Sequence, residues 1–237
     1  MKKMLFIILM LFVTFSIQAQ KTYVLLLGVN NYGTGKDNLN YPVKDVKEIK
    51  QVLDKQKMTV AMLTSKYVTK ENIDKKLDAI IKIATPKDKI IFYFSGHGIP
   101  DAFCCYGFDT YKYSDLEKKL ANARTKHVFC FFDACYSGSV SNVINAQNDF
   151  EKSKYVFMVG CRPNEFSMEK ALLNNGAFSQ AAVKGLRGKA DYNRDRSVTL
   201  LELFKYVYAD VTKKTNNNQH PQLIGDSSLY NTTITKW

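Results

Sequence analysis

The chain has 237 residues, 46% hydrophobic and 24% charged, which sets it apart from disordered sequences and gives length for one domain with a sizeable core. Its net charge is +12, yet the lysines are spread along amphipathic stretches such as KDVKEIKQVLDKQK and KENIDKKLDAIIK. These read as solvated helix faces, and no nucleic-acid partner is expected. Five cysteines at irregular spacing form neither a disulfide framework nor a zinc motif.

In chain order, MKKMLFIILMLFVTFSIQAQ opens with two lysines, continues with an apolar run from Met4 to Val13 and closes on a polar end with Ala19. That is the layout of a secretory signal peptide, too short to span a membrane comfortably. Cleavage near Ala19 or Gln20 is expected. Residues 1–19 are thus read as a signal peptide and 20–237 as one exported domain, periplasmic or secreted, with no membrane partner after the signal is removed.

TYVLLLGVNNY (22–32) reads as a buried strand and a polar turn. YPVKDVKEIKQVLDKQ (41–56) is a helix with Pro42 in its first turn and Val43, Val46, Ile49, Val52 and Leu53 on one stripe. MTVAMLT (58–64) is a strand, and TKENIDKKLDAIIKIA (69–84) a helix capped by Thr69. DKIIFYFSGHG (88–98) is a strand running into a glycine turn, and AFCCYGF (102–108) a small hairpin strand. YSDLEKKLANA (113–123) is a helix with Ser114 as its cap. Strands follow at 127–133 and 155–161, helices at 175–186 and 199–214, and a final strand at 227–237. Strands alternating with helices, with continuous apolar strands, predict an α/β domain whose mostly parallel sheet is covered on both faces.

Ligands of such sheets bind outside the carboxyl ends of the strands. Two strands end in suggestive chemistry. IIFYF runs into Ser95-Gly96-His97-Gly98, and VFCFF into Asp133-Ala134-Cys135-Tyr136-Ser137-Gly138. One helix lies between them, so a right-handed crossover makes them neighbours and brings His97 beside Cys135. A thiol that attacks a peptide carbonyl must lose its proton, and imidazole is the usual acceptor and later the donor to the leaving amine. A glycine-turn amide, that of Gly98, is the candidate oxyanion donor. His127 and His220 have no such setting.

YFSGHG followed by FFDACYSG resembles the caspase-like cysteine peptidases, in their metacaspase and bacterial orthocaspase branch. LLLGVNNYG with LNYPVKDVKEIKQVL is similar to that family's first strand and helix, and NGAFSQAAVKGLRGKADYNRDRSVTLLELFKYV to its C-terminal part. The resemblance implies a three-layer α/β/α sandwich around a sheet of about six strands, with Cys135 as nucleophile and His97 as acid and base. It also implies that Asp45, Ser95 and Asp133 line the specificity pocket. Two carboxylates in a narrow pocket favour a guanidinium or ammonium and repel an acid, so the expected substrate is a polypeptide cut after Arg or Lys. A binding or regulatory module that keeps the fold without the activity is the alternative. Self-processing is typical of the family, and the loop 139–154 offers Lys152 and Lys154 to a basic-specific enzyme.

DYNRDRSVTLLE supplies a second candidate. Asp191, Asn193, Asp195, Ser197, Thr199 and Glu202 fall at positions 1, 3, 5, 7, 9 and 12 of an EF-hand-type calcium loop, with Arg196 where glycine usually turns the chain. An Asx-rich turn leading into a capped helix accounts for the same residues. No cofactor is expected to be required.

Overall fold

A computed structural model of the chain describes residues 19–142, 155–165, 167, 169–170 and 175–237. The leader residues 1–18 and the proposed processing lysines Lys152 and Lys154 lie outside the described residues. Among the described residues, no helix is long and apolar enough to cross a membrane.

The main sheet is built from β1 (Thr22–Gly28), β2 (Thr59–Thr64), β3 (Lys89–Ser95), β7 (Val128–Asp133), β8 (Tyr155–Val159) and β12 (Gln222–Gly225), in the order β12-β8-β7-β3-β1-β2. All neighbours are parallel except β12, which runs antiparallel to β8. Small pairings lie outside it. β4 (Gly98–Ile99), β5 (Ala102–Cys104) and β6 (Thr110–Lys112) form one, β9 (Glu169–Lys170) with β10 (Asn175–Gly176) a second, and β11 (Ser197–Thr199) with β13 (Thr233–Lys236) a third.

Successive strand residues point to opposite faces, so the apolar strands feed two cores. Leu25, Leu27, Phe92, Phe94, Cys130 and Phe132 face one side, packed by Ile73 and Leu77 of α2 (Lys70–Ile83) and Leu116 and Leu120 of α3 (Tyr113–Ala121). Val24, Leu26, Ile91, Phe129 and Phe131 face the other. There they meet Val46 and Ile49 of α1 (Pro42–Asp54), Phe178 and Ala182 of α4 (Ala177–Lys184), and Leu203 and Val207 of α5 (Leu200–Lys214). This is the expected three-layer α/β/α sandwich.

Register decides what gathers at the carboxyl edge. Gly28 pairs with Ser95, and Ser95 with Asp133, so three strands end in one row. A Cβ on Gly28 would lie 2.6 Å from the Pro42 carbonyl oxygen and 2.7 Å from Val46 Cγ2, so only glycine lets the start of α1 close onto that row. The closure brings Asp45 to the same edge.

Three local expectations are corrected. The predicted strand at 227–237 is strand only over Thr233–Lys236 and pairs with β11, away from the main sheet. The sixth strand is instead β12, a QLIG segment too short and too weakly patterned to stand out. Its Gly225 takes φ +126° and approaches the backbone of Tyr155 and Val156, where a side chain would collide. Thr69 caps α2 through the Asn72 N–H at 3.2 Å as predicted. Ser114 does not cap α3: the extended residue before that helix is Lys112, and no side chain makes the cap bond. The helix expected over 175–186 starts at Ala177, because Asn175 and Gly176 pair with β9.

Candidate active site

Ser95 and Asp133 are the last residues of β3 and β7, and Asp45 lies in the first turn of α1. All three are buried. The Ser95 hydroxyl donates to Asp45 Oδ2 at 3.0 Å. One Asp133 oxygen, Oδ1, accepts the Ser167 hydroxyl. The other, Oδ2, accepts the Ser179 N–H at 3.0 Å and hydroxyl at 2.7 Å. Ser179 is in the first turn of α4, so Asp133 also closes that helix N-terminus from outside. Burial pushes the Asp133 carboxyl above the usual carboxylate range, against the lowering effect of these donors. Burial, with Asp133 and Asp45 nearby, also drives Tyr93 well above its ordinary value. Its hydroxyl meets Ser179 Oγ at 2.8 Å.

Past β3 the chain turns through Gly96, whose N–H donates to the Asp133 carbonyl at 3.2 Å. The His97 N–H then donates to the Tyr32 hydroxyl at 2.6 Å. The His97 ring packs beside the stacked pair Tyr32 and Phe108, with centroids 4.9 and 5.8 Å away. Its Nε2 is 2.7 Å from the Asp37 carbonyl oxygen. A carbonyl can only accept, so in the neutral ring Nε2 carries the proton and Nδ1 keeps the lone pair. Asp37 presents that carbonyl from the left-handed region, at φ +57°.

Past β7, Cys135 sits in a tight turn. Tyr136 takes φ +56°, its N–H donates to the Glu165 carbonyl at 2.9 Å, and the Ser137 N–H donates to the Ala134 carbonyl at 3.3 Å. The Cys135 thiol is 3.9 Å from the Ser167 carbonyl oxygen, a weak contact. All five cysteines lie among the described residues and none forms a disulfide; Cys135 is half-buried and the other four are buried. Burial pushes Cys104 and Cys161 up to about 11 and Cys105 up to about 12, and raises Cys130 as well. Cys161 makes no disulfide with Cys135; its thiol donates to the Ala134 and Glu165 carbonyls, each at 3.2 Å. Gly98 packs on the Cys135 backbone so closely that a Cβ would lie 2.2 Å from its carbonyl oxygen.

A cleft of about 80 Å³ joins these groups, lined by Leu39, Pro42, Asp45, Ser95, Gly96, His97, Asp133, Cys135, Ser167 and Gly176. The structure therefore gathers Asp45, Ser95, His97, Asp133 and Cys135, with Gly98 against the cysteine turn. Sequence reasoning missed Ser167, Ser179, Gly176 and Tyr32. It also missed Glu165, whose carboxylate pairs with His220 Nδ1 at 2.8 Å and so anchors the loop that supports Tyr136. His220 does not line the cleft, as expected; it serves this loop instead.

The 191–202 loop lies apart from this cleft. The Asp195 N–H donates to Asp191 Oδ1 at 3.1 Å and the Ser197 N–H to Asp195 Oδ1 at 2.8 Å, while Asn193 Nδ2 donates to Asp195 Oδ2 at 3.0 Å. Thr199 and Glu202 form a capping box at the start of α5. Arg196 adopts φ +64°, the turn a glycine would make. A cation here would compete with Asn193 and Ser197 for Asp195. Among the described residues, no three or more His, Cys, Asp or Glu side chains are placed to share a metal ion.

A parallel sheet presenting a half-buried cysteine, an oriented histidine and paired acids at its carboxyl edge is the arrangement of a caspase-like domain. Residues 21–229 match the caspase-domain model of peptidase family C14, and the chain belongs to that family of cysteine peptidases. It is similar to Metacaspase-1 of Candida albicans, 30% identical over an alignment of 148 positions that takes in 49% of this chain and 33% of that protein. Metacaspase-1 of Lodderomyces elongisporus is 28% identical over the same lengths. The alignments thus span about a third of these metacaspases. In fold it is similar to the crystal structure of protein GSU0716 from Geobacter sulfurreducens, with TM-score 0.66, 18% identity, 89% of this chain and 97% of that one covered.

Proposed function

We propose that the chain is an exported cysteine endopeptidase that cleaves polypeptides after Arg or Lys. The observation that carries this is the meeting, in one cleft, of a half-buried thiol, a histidine and two buried carboxylates. His97 Nδ1 takes the Cys135 proton as the sulfur attacks the carbonyl carbon of the scissile bond. The developing oxyanion turns toward the Gly98 amide. His97 then protonates the leaving amine, and the bond left is a thioester on Cys135. Water, losing a proton to His97, hydrolyses that thioester and returns the thiol. Asp45 and Asp133 receive the basic side chain preceding the cut, and Ser95 holds Asp45 in place.

The test is hydrolysis of matched fluorogenic peptides ending in Arg, Lys or Asp, under reductant, with calcium and with a chelator. Arg and Lys peptides are expected to be cut at least about 10³-fold faster than the Asp peptide, because an acid would place a third negative charge beside two buried ones. Cleavage after Asp removes the roles given to Asp45 and Asp133. No cleavage of any peptide supports the binding-module reading. No cofactor is expected to be required, so activity should persist in chelator; its loss there would point to calcium.

The Asp37 carbonyl makes a second, sharper expectation. Proline cannot adopt φ near +57°, so Asp37→Pro moves the carbonyl off His97. The expected cost is about 100-fold in kcat with KM nearly unchanged, since a misplaced base harms the step and not the binding. Asp37→Gly keeps the conformation and is expected to stay within about two-fold. Equal kcat values in the two variants would remove the carbonyl from the mechanism.

A further inference from the structure

Gly176 lies where β10 meets α4 and is buried against the cleft. Its φ of −59° is open to any residue, and as the residue before a helix it stands where Ser, Thr, Asn or Asp would be preferred. Backbone conformation and capping therefore do not call for glycine here; space does. A Cβ at this position would lie 2.3 Å from Asp133 Oδ2, 3.1 Å from Asp133 Cγ and 3.3 Å from Asp45 Oδ2. One point beside the Gly176 Cα thus lies against an oxygen of each buried carboxylate. The Asp133 carboxylate therefore packs directly on the Gly176 backbone, and the cleft is closed at this acidic end.

We infer that Gly176 is a specificity-determining residue, whose missing side chain lets the Asp133 carboxylate pack against its backbone and stand beside Asp45, so that both carboxylates can face the cationic head of a long basic side chain. This rests on the reading that the cleft takes Arg or Lys. A methyl group at 176 would occupy that end, push Asp133 off its Ser179 partner and shorten the cleft from its closed side. Close-packed surroundings feel a single added carbon. The variant should then favour a cation carried on a shorter stem.

The experiment compares wild type with Gly176→Ala on peptides ending in Arg and in 2,4-diaminobutyrate, a shorter cationic side chain. KM for the Arg peptide is expected to rise at least ten-fold, and the Arg-to-diaminobutyrate ratio of kcat/KM to fall at least ten-fold. Iodoacetamide labelling of Cys135 and thermal unfolding report that the variant is folded. An unchanged ratio in a folded variant overturns the inference. If the variant does not fold, wild type decides the matter with homoarginine, one methylene longer than Arg. Cleavage at least ten-fold slower than after Arg supports a closed acidic end at Gly176, and equal rates overturn it. Wild type that cuts neither Arg nor Lys peptides overturns the parent reading, a result distinct from either of these.

Discussion

Cys135→Ala is expected to abolish peptide cleavage, with a loss of about 10⁴-fold or more in kcat/KM at unchanged fold. The reaction needs a nucleophile that becomes an anion near neutral pH, and a methyl group offers none. The remaining cleft still binds and orients peptide, so the loss should fall on kcat. The fold should tolerate the change because Cys135 is half-buried at the cleft, outside the packed core, and alanine keeps its Cβ. Cys135→Ser keeps the shape but replaces the thiol with a far weaker acid, and should be nearly as inactive. One equivalent of iodoacetamide should label wild type at Cys135 alone. The other four thiols are buried and their ionisation is pushed up by that burial. Retention of more than a few per cent of activity in Cys135→Ala would move the nucleophile elsewhere.

Asp133→Asn should convert a basic-specific cleft into an indiscriminate one. The replacement keeps the shape and removes the charge. Truncating one partner of a buried hydrogen-bonded charge pair costs about 2–5 kcal/mol, so the preference for Arg over a neutral side chain should fall by about 30- to 5,000-fold. The effect should appear in KM for Arg peptides and be small for neutral ones. The pH dependence follows from the same carboxylate. Burial raises its pKa, so its proton returns at a higher pH than on an ordinary Asp. Cleavage after Arg should therefore decline on the acid side before cleavage of a neutral peptide does, and the two acid limbs should merge in Asp133→Asn. For stability the sign is opposite. A raised folded pKa contributes most below the unfolded value, and the contribution is lost as pH rises through the folded one. Keeping the charge is thus a cost to the fold, held down by Ser167 and Ser179. Identical limbs for Arg and neutral peptides in wild type would exclude Asp133 from the pocket.

The layers and most elements were legible because they rest on strong patterns. Continuous apolar strands and the 3.6-residue stripes of α1 and α2 state their burial directly. The convergence of His97 and Cys135 followed from strand ends and crossover handedness. What escaped rests on weaker or nonlocal physics. QLIG carries two apolar residues and joins the sheet through β8, whose sequence lies far upstream. Ser114 precedes helix-forming residues as a cap would, yet α3 already begins at Tyr113. Asp37 acts through its carbonyl, which side-chain chemistry cannot advertise. Ser179 was the most recoverable omission, since a hydroxyl in the first turn of the helix that opens with NGAFSQ is a natural anion partner. Gly176 could be weighed only once two carboxylates were seen on either side of it.

The row formed by Gly28, Ser95 and Asp133 separates two tasks that share one edge. The chemical step, as proposed, draws mainly on backbone groups around Cys135 and His97: the Asp37 carbonyl, the Gly98 amide and the Glu165 carbonyl behind the cysteine turn. Selection of substrate draws on side chains rooted in strand ends and the first turns of two helices. Point mutation changes side chains readily and leaves the backbone path nearly untouched. A lineage built on this scaffold can therefore drift toward new cleavage preferences through one or two codon changes at the acids or at Gly176, inheriting its reactivity intact while its diet evolves.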